Sequence, residues 1–265
     1  MSSAPLPILL YHRIDHEGLS TSTPPEDFRR HLETMKERGW RALAADEFAR
    51  VLEGKGSAPP RSFLITFDDG YETVASVALD VLRDLGFPAI CFIATQFMRG
   101  AMSGEEPPAA AEPEKFMTWQ QVRTLQDSGL VSCQSHSHTH RNFTGEPLAT
   151  LCEDLAQSLA LLSQELRLPA HHFTHLAWPW GLSTPEWRDT ARSLGFRYQY
   201  GVSRQSFRIG MRADDIPRTC FDAVGMSAFQ RQLWLQAGAA APLWDIAYPF
   251  GKRLRGMSRV LKRAA

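Results

Sequence analysis

Several features are missing from this chain. No stretch approaches the ~20 consecutive apolar residues that a membrane-spanning helix needs, although 43% of the 265 residues are apolar. The N-terminus, MSSAPLPILLYHRID, lacks the basic start and the long apolar run of a secretory leader. Net charge is absent too. The 29 Lys and Arg balance 29 Asp and Glu, which leaves no field for holding nucleic acid. The four cysteines, Cys91, Cys133, Cys152 and Cys220, form no CxxC pair, so core thiols are expected rather than a zinc or redox motif. Finally, none of the nine histidines follows His175. The expectation is a cytoplasmic protein with no transmembrane segment and no nucleic-acid partner.

What is present alternates. Pro7 to Tyr11, Phe63 to Phe67, Pro88 to Ala94, Leu130 to Ser135, Phe173 to Trp178 and Phe196 to Tyr200 are short apolar runs of the kind that form buried strands. Between them lie helical patterns, starting near Pro25 and spanning Glu72 to Leu85, Trp119 to Ser128, Leu148 to Leu168 and Pro185 to Leu194. Strands alternating with helices across short connections predict parallel βα units. Seven or so such units predict an α/β fold: a TIM-like barrel, incomplete or distorted, in a single domain over residues 1–250. The long connection is Arg99 to Lys115, rich in Pro, Ala and Glu, and is expected on the face where βα loops gather.

Active sites of such barrels lie at the C-terminal strand ends, where the unusual residues of this chain also fall. In FLITFDDGYETV, residues 63–74, an apolar run stops on Asp68 and Asp69, and Gly70 lets the backbone turn. The alternative is that one of the two caps the following helix, but capping needs only one carboxylate. In SHSHTH, residues 135–140, His136 and His140 stand four apart, so one helical turn or a tight loop puts both imidazoles on one side. Two imidazoles and a carboxylate make up a catalytic zinc-type site with an open position; the alternative is a bland polar loop. His138 is expected to point away or to contact substrate.

FLITFDDGYETV, SHSHTH and AWPWG, in this order and spacing, resemble the motifs of the polysaccharide deacetylase family (NodB homology, carbohydrate esterase family 4), over roughly residues 5 to 220. The resemblance implies a distorted (β/α)7 barrel and one divalent metal ion, with zinc first and cobalt, nickel or manganese as alternatives. It assigns Asp69, His136 and His140 as metal ligands and Asp68 as general base. Two departures stand out. The segment from Leu176 to Gly181 carries no arginine to hold the base, and no histidine is available near the C-terminus to act as acid. Both departures resemble the poly-N-acetylglucosamine de-N-acetylase branch, in which a Tyr-His pair near the N-terminus supplies the acid. Here that pair is Tyr11-His12, which makes His12 the acid, or else a histidine bonded at the barrel rim. Trp178 and Trp180 are expected to wall the pocket against a sugar face, or to pack in the core. Arg218, after Ile216-Pro217, ends the last recognisable strand and is expected to orient substrate or to form a surface ion pair. Tyr11 joins the substrate-binding group.

The resemblance implies a de-N-acetylase of N-acetylhexosamine residues in a glycan or glycoconjugate. Its rivals are an allantoinase or cyclic-imide hydrolase on the same barrel and an inactive glycan-binding homologue. Residues 251–265, GKRLRGMSRVLKRAA, carry six basic residues and no acidic one. They suit peripheral contact with an anionic membrane surface, or a solvated basic terminus.

Overall fold

The computed structural model describes residues 4–102, 104 and 115–248. The basic segment 251–265 and most of the connection between Arg99 and Lys115 lie outside the described residues.

Seven strands run parallel in one curled sheet: β1 (Ile8–Tyr11), β2 (Ser62–Phe67), β3 (Ala89–Ile93), β4 (Val131–Ser135), β5 (His175–Ala177), β6 (Tyr198–Tyr200) and β7 (Thr219–Cys220). Their spatial order is β7-β1-β2-β3-β4-β5-β6. Strands β1, β2 and β3 are buried along their whole length, as expected of parallel strands covered on both faces. The ring is completed by the stretch before β7: Ile216 bridges Tyr200 on one side, and Thr219 pairs with Leu9 on the other. A single bridge at that seam, in place of a ladder, is the distortion of this (β/α)7 barrel.

Helices pack on the outside. They are α1 (Pro25–Glu37), α2 (Ala45–Leu52), α3 (Leu79–Leu85), α4 (Trp119–Asp127), α5 (Leu148–Leu166), α6 (Pro185–Ser193) and α7 (Met226–Ala237). Their boundaries follow local chemistry. Proline opens α1, whose buried Phe28, His31, Leu32 and Met35 form one stripe at helical spacing. Thr118 and Gln121 form a reciprocal capping box on α4. Gly86, left-handed at φ +69°, stops α3. The sequence pattern missed α2, α7 and the two-residue strand Arg41–Ala42 that pairs with β2. Helix α2 is short, and α7 mixes apolar and polar residues without a clean stripe.

Register positions the site. Leu10 is level with both Thr66 and Cys220, and Tyr11 with Phe67. The residues just past these strand ends, His12, Asp68 and Asp222, are thereby brought to one level of the barrel mouth. Ile93 pairs with Ser135, which lifts His136 to the same rim, one residue beyond β4.

Candidate active site

Asp69 sits just beyond β2 with a left-handed backbone, φ +70°. Gly70 is also left-handed, at φ +86°, a conformation that favours glycine. His140 (φ +54°), Ser137 (φ +66°) and Trp180 (φ +59°) share this unfavourable region. Such strain is maintained only where the surroundings enforce it. Around the histidine loop, the enforcer is Asp154 on α5. Its carboxylate accepts from the backbone N–H groups of His138 (2.8 Å) and Thr139 (3.1 Å) and from the Thr139 hydroxyl (2.5 Å). Ser137 Oγ accepts from the His140 N–H at 3.1 Å.

The loop delivers both expected imidazoles to Asp69. His136 Nε2 lies 3.2 Å and His140 Nε2 3.1 Å from Asp69 Oδ1. His136 Nδ1 donates to the Ala177 carbonyl at 2.8 Å, so in the neutral ring the proton is on Nδ1 and a lone pair on Nε2 faces the carboxylate. Asp69 Oδ1 is buried and has no hydrogen-bond partner. Buried acceptors turned on one another repel unless a cation lies between them. The set Asp69, His136 and His140 therefore fits a metal ion, and its donors suit a site with an open coordination position. His138 is turned elsewhere, with Nδ1 2.9 Å from Thr95 Oγ1.

Asp68, the neighbour of Asp69, is handled differently. Its two oxygens accept from Arg218 Nη1 at 2.6 Å and Nη2 at 2.7 Å. Burial, the largest single influence, pushes the Asp68 pKa up, but Arg218 together with His136 and His12 outweighs it and the net shift is downward, so the carboxylate is ionised at neutral pH. Arg218 is completely buried and lies over the Phe92 ring, 5.2 Å from its centroid. This corrects the expectation for Arg218. With its guanidinium beneath Asp68, it is fully buried and forms no surface ion pair. It also supplies the arginine that AWPWG lacks, from the far end of the sequence.

His12, one residue beyond β1, lies across the mouth. Its Nδ1 donates to Asp222 Oδ2 at 2.5 Å, and its backbone N–H donates to Asp222 Oδ1 at 3.0 Å. Burial, the largest single influence, lowers the His12 pKa, but the hydrogen bond to Asp222, with Cys220 and the charges of Asp222 and Asp69 beside it, outweighs burial and holds the pKa well above the ordinary value. The imidazole is therefore charged at neutral pH, with Nε2 left for a reacting partner. Sequence reasoning missed Asp222 and Asp154. The available signals were an acid just past the last strand and a carboxylate on the apolar face of α5.

Two further expectations are corrected. Tyr11 is fully buried and its hydroxyl is engaged by His31 Nδ1 at 3.1 Å, because β1 turns it inward beside Phe28 and Phe67. Trp178 is also core: 1% exposed, with its indole N–H donating to Gln199 at 3.1 Å and its ring beside Trp187. Neither can wall a pocket. Trp180 can. It is 67% exposed and its ring centroid lies 5.3 Å from that of His140.

A parallel barrel with a metal-type donor set at its C-terminal mouth is the class that fold and site define. The polysaccharide deacetylase model matches residues 55–199, and the chain belongs to that family. YxkH of Bacillus subtilis (strain 168) is 28% identical over 202 residues, 76% of this chain and 65% of its own length. The poly-beta-1,6-N-acetyl-D-glucosamine N-deacetylase of Escherichia coli (strain K12) is 22% identical over 78% of this chain and 35% of its own. The chain thus spans less than two thirds of either relative. Among solved structures, IcaB from Ammonifex degensii superposes with a TM-score of 0.74 at 22% identity, covering 90% of this chain and 99% of that one. This is a likeness of fold.

Proposed function

We propose that the protein is a metal-dependent de-N-acetylase acting on N-acetylhexosamine residues of a glycan or glycoconjugate and releasing acetate. Family membership and the naming of the Escherichia coli relative support the substrate class. The observation that carries the reading is the convergence of Asp69 Oδ1, His136 Nε2 and His140 Nε2 beside an arginine-held Asp68.

Asp69, His136 and His140 would hold one divalent ion, zinc in the first instance; cobalt, nickel or manganese would suit the same donors. Such an ion lowers the pKa of its water from ~15.7 towards ~7 and polarises the acetamide carbonyl. Asp68, ionised and fixed by Arg218, is the general base that takes the proton of the attacking water. His12, charged through Asp222, gives its Nε2 proton to the departing amine. The two groups are set in opposite protonation states by their partners, as acid and base require at one pH. Trp180, exposed beside His140, offers a face on which a sugar ring can stack, and its backbone N–H is the proposed oxyanion donor.

The test is acetate release from β-1,6-linked N-acetylglucosamine oligomers by protein loaded with zinc, alongside allantoin and cyclic imides. Release from the oligomers, lost in Asp68→Asn protein that keeps its metal, is expected. Turnover of the imides alone would overturn the reading.

A further inference from the structure

The acid side of the mouth holds a second donor cluster. One ligand atom each from His12, Cys220 and Asp222 lies within 4.8 Å of the others. Cys220 Sγ is 3.1 Å from Asp222 Oδ2, the oxygen that also receives His12 Nδ1. The cluster is accessible, since Cys220 is exposed and the His12 side chain 19% exposed, while Asp222 is buried beneath them. Strand register is the cause: Leu10 is level with Cys220, so the residues two further along each strand meet at the rim.

We propose that His12, Cys220 and Asp222 form a second cation site, selective for soft, thiophilic divalent ions such as cadmium over zinc, and that filling it inhibits the enzyme. The donors are one sulfur, one nitrogen and one oxygen, a set that suits a four-coordinate ion completed by water. Tetrahedral ligands at bond lengths of roughly 2.0–2.3 Å stand more than 3 Å apart, so His12 and Asp222 must part by a fraction of an ångström to admit one. On binding, Cys220 loses its proton to solvent and His12 Nδ1 loses its proton to the same sink. A cation then occupies the nitrogen that Asp222 otherwise serves, and His12 can no longer be the charged donor. The Asp69 site contains no sulfur and would prefer a harder partner, so the two sites separate by metal softness. The inhibitory half of this inference rests on the proposed role of His12; the binding half does not.

The experiment is a cadmium titration of the metal-loaded protein, read by the ultraviolet thiolate-to-cadmium charge-transfer band and by acetate release. One equivalent should produce the band and suppress release. Cys220→Ser should abolish the band and require at least ~10-fold more cadmium for the same inhibition, while Cys152→Ser keeps both responses. Absence of the band, or its survival in Cys220→Ser, overturns the site. Displacement of metal at Asp69 would inhibit Cys220→Ser and the unaltered protein equally, which overturns the inhibitory link. Because the band needs no turnover, a protein inactive on every N-acetylated sugar still tests the cation site separately from the proposed function.

Discussion

Two sides of one barrel mouth are built on opposite logic. On the β2–β4 side, His136 turns a lone pair towards Asp69, His140 Nε2 approaches the same oxygen, and Asp69 Oδ1 is left without a hydrogen-bond partner. On the β1–β7 side, His12 and Asp222 share a proton at 2.5 Å, and nothing is left unsatisfied between them. The first arrangement is costly until a cation arrives; the second is stable as it stands and stores a proton. Asp68 lies between, a carboxylate next to Asp69 in sequence yet fully paired with Arg218. Adjacent residues in one buried strand end are thus given separate tasks by their partners.

The largest effects should come from breaking the Asp68–Asp69 contrast. Asp68→Asn is expected to keep the metal and lower kcat by ~10²–10⁴, the usual worth of a general base. Asp69→Asn should lose metal as well as activity, so metal analysis of the two proteins separates them. Equal metal content in both would erase the distinction. Arg218→Met comes next, because it strands a buried carboxylate. Stability measured by denaturant should fall by about 3–5 kcal/mol, and the Asp68→Leu/Arg218→Met double variant should recover much of that loss.

On the other side, His12→Ala should slow amide cleavage far more than cleavage of an activated acetate ester, whose leaving group needs no proton. Equal losses on both would make His12 structural. Asp222→Asn probes the same pair through pH. Asp222 raises the His12 pKa, so activity depending on charged His12 is present below that pKa and lost above it. Removing the carboxylate should move the alkaline limb of kcat/KM to lower pH and leave the acid limb in place. An unmoved alkaline limb would assign it to another group.

The smallest effect sharpens a contrast within one motif. Trp178 and Trp180 are two residues apart, one buried and one 67% exposed. Trp178→Ala should cost about 3–5 kcal/mol of stability. Trp180→Ala should change stability by no more than ~0.5 kcal/mol but raise KM for oligomers, by an amount consistent with a stacking loss of ~0.5–1.5 kcal/mol.

The sequence by itself determined whatever depends on near neighbours. Apolar runs with short connections specified parallel βα units, because a strand buried on both faces must be apolar throughout. The strand-end positions of Asp68, Asp69 and His12, and the shared direction of His136 and His140, follow from a few residues of local geometry. Other features were decided by tertiary structure. Arg218 meets Asp68 across 150 residues, and Asp222 meets His12 across 210. These meetings exist only because β7 closes onto β1, and no local pattern encodes which strand will lie beside the first. The inward turn of Tyr11 and the opposite fates of the two tryptophans have the same origin. A side chain's burial depends on which neighbour covers it and, at Trp180, on a positive φ that the packed loop imposes.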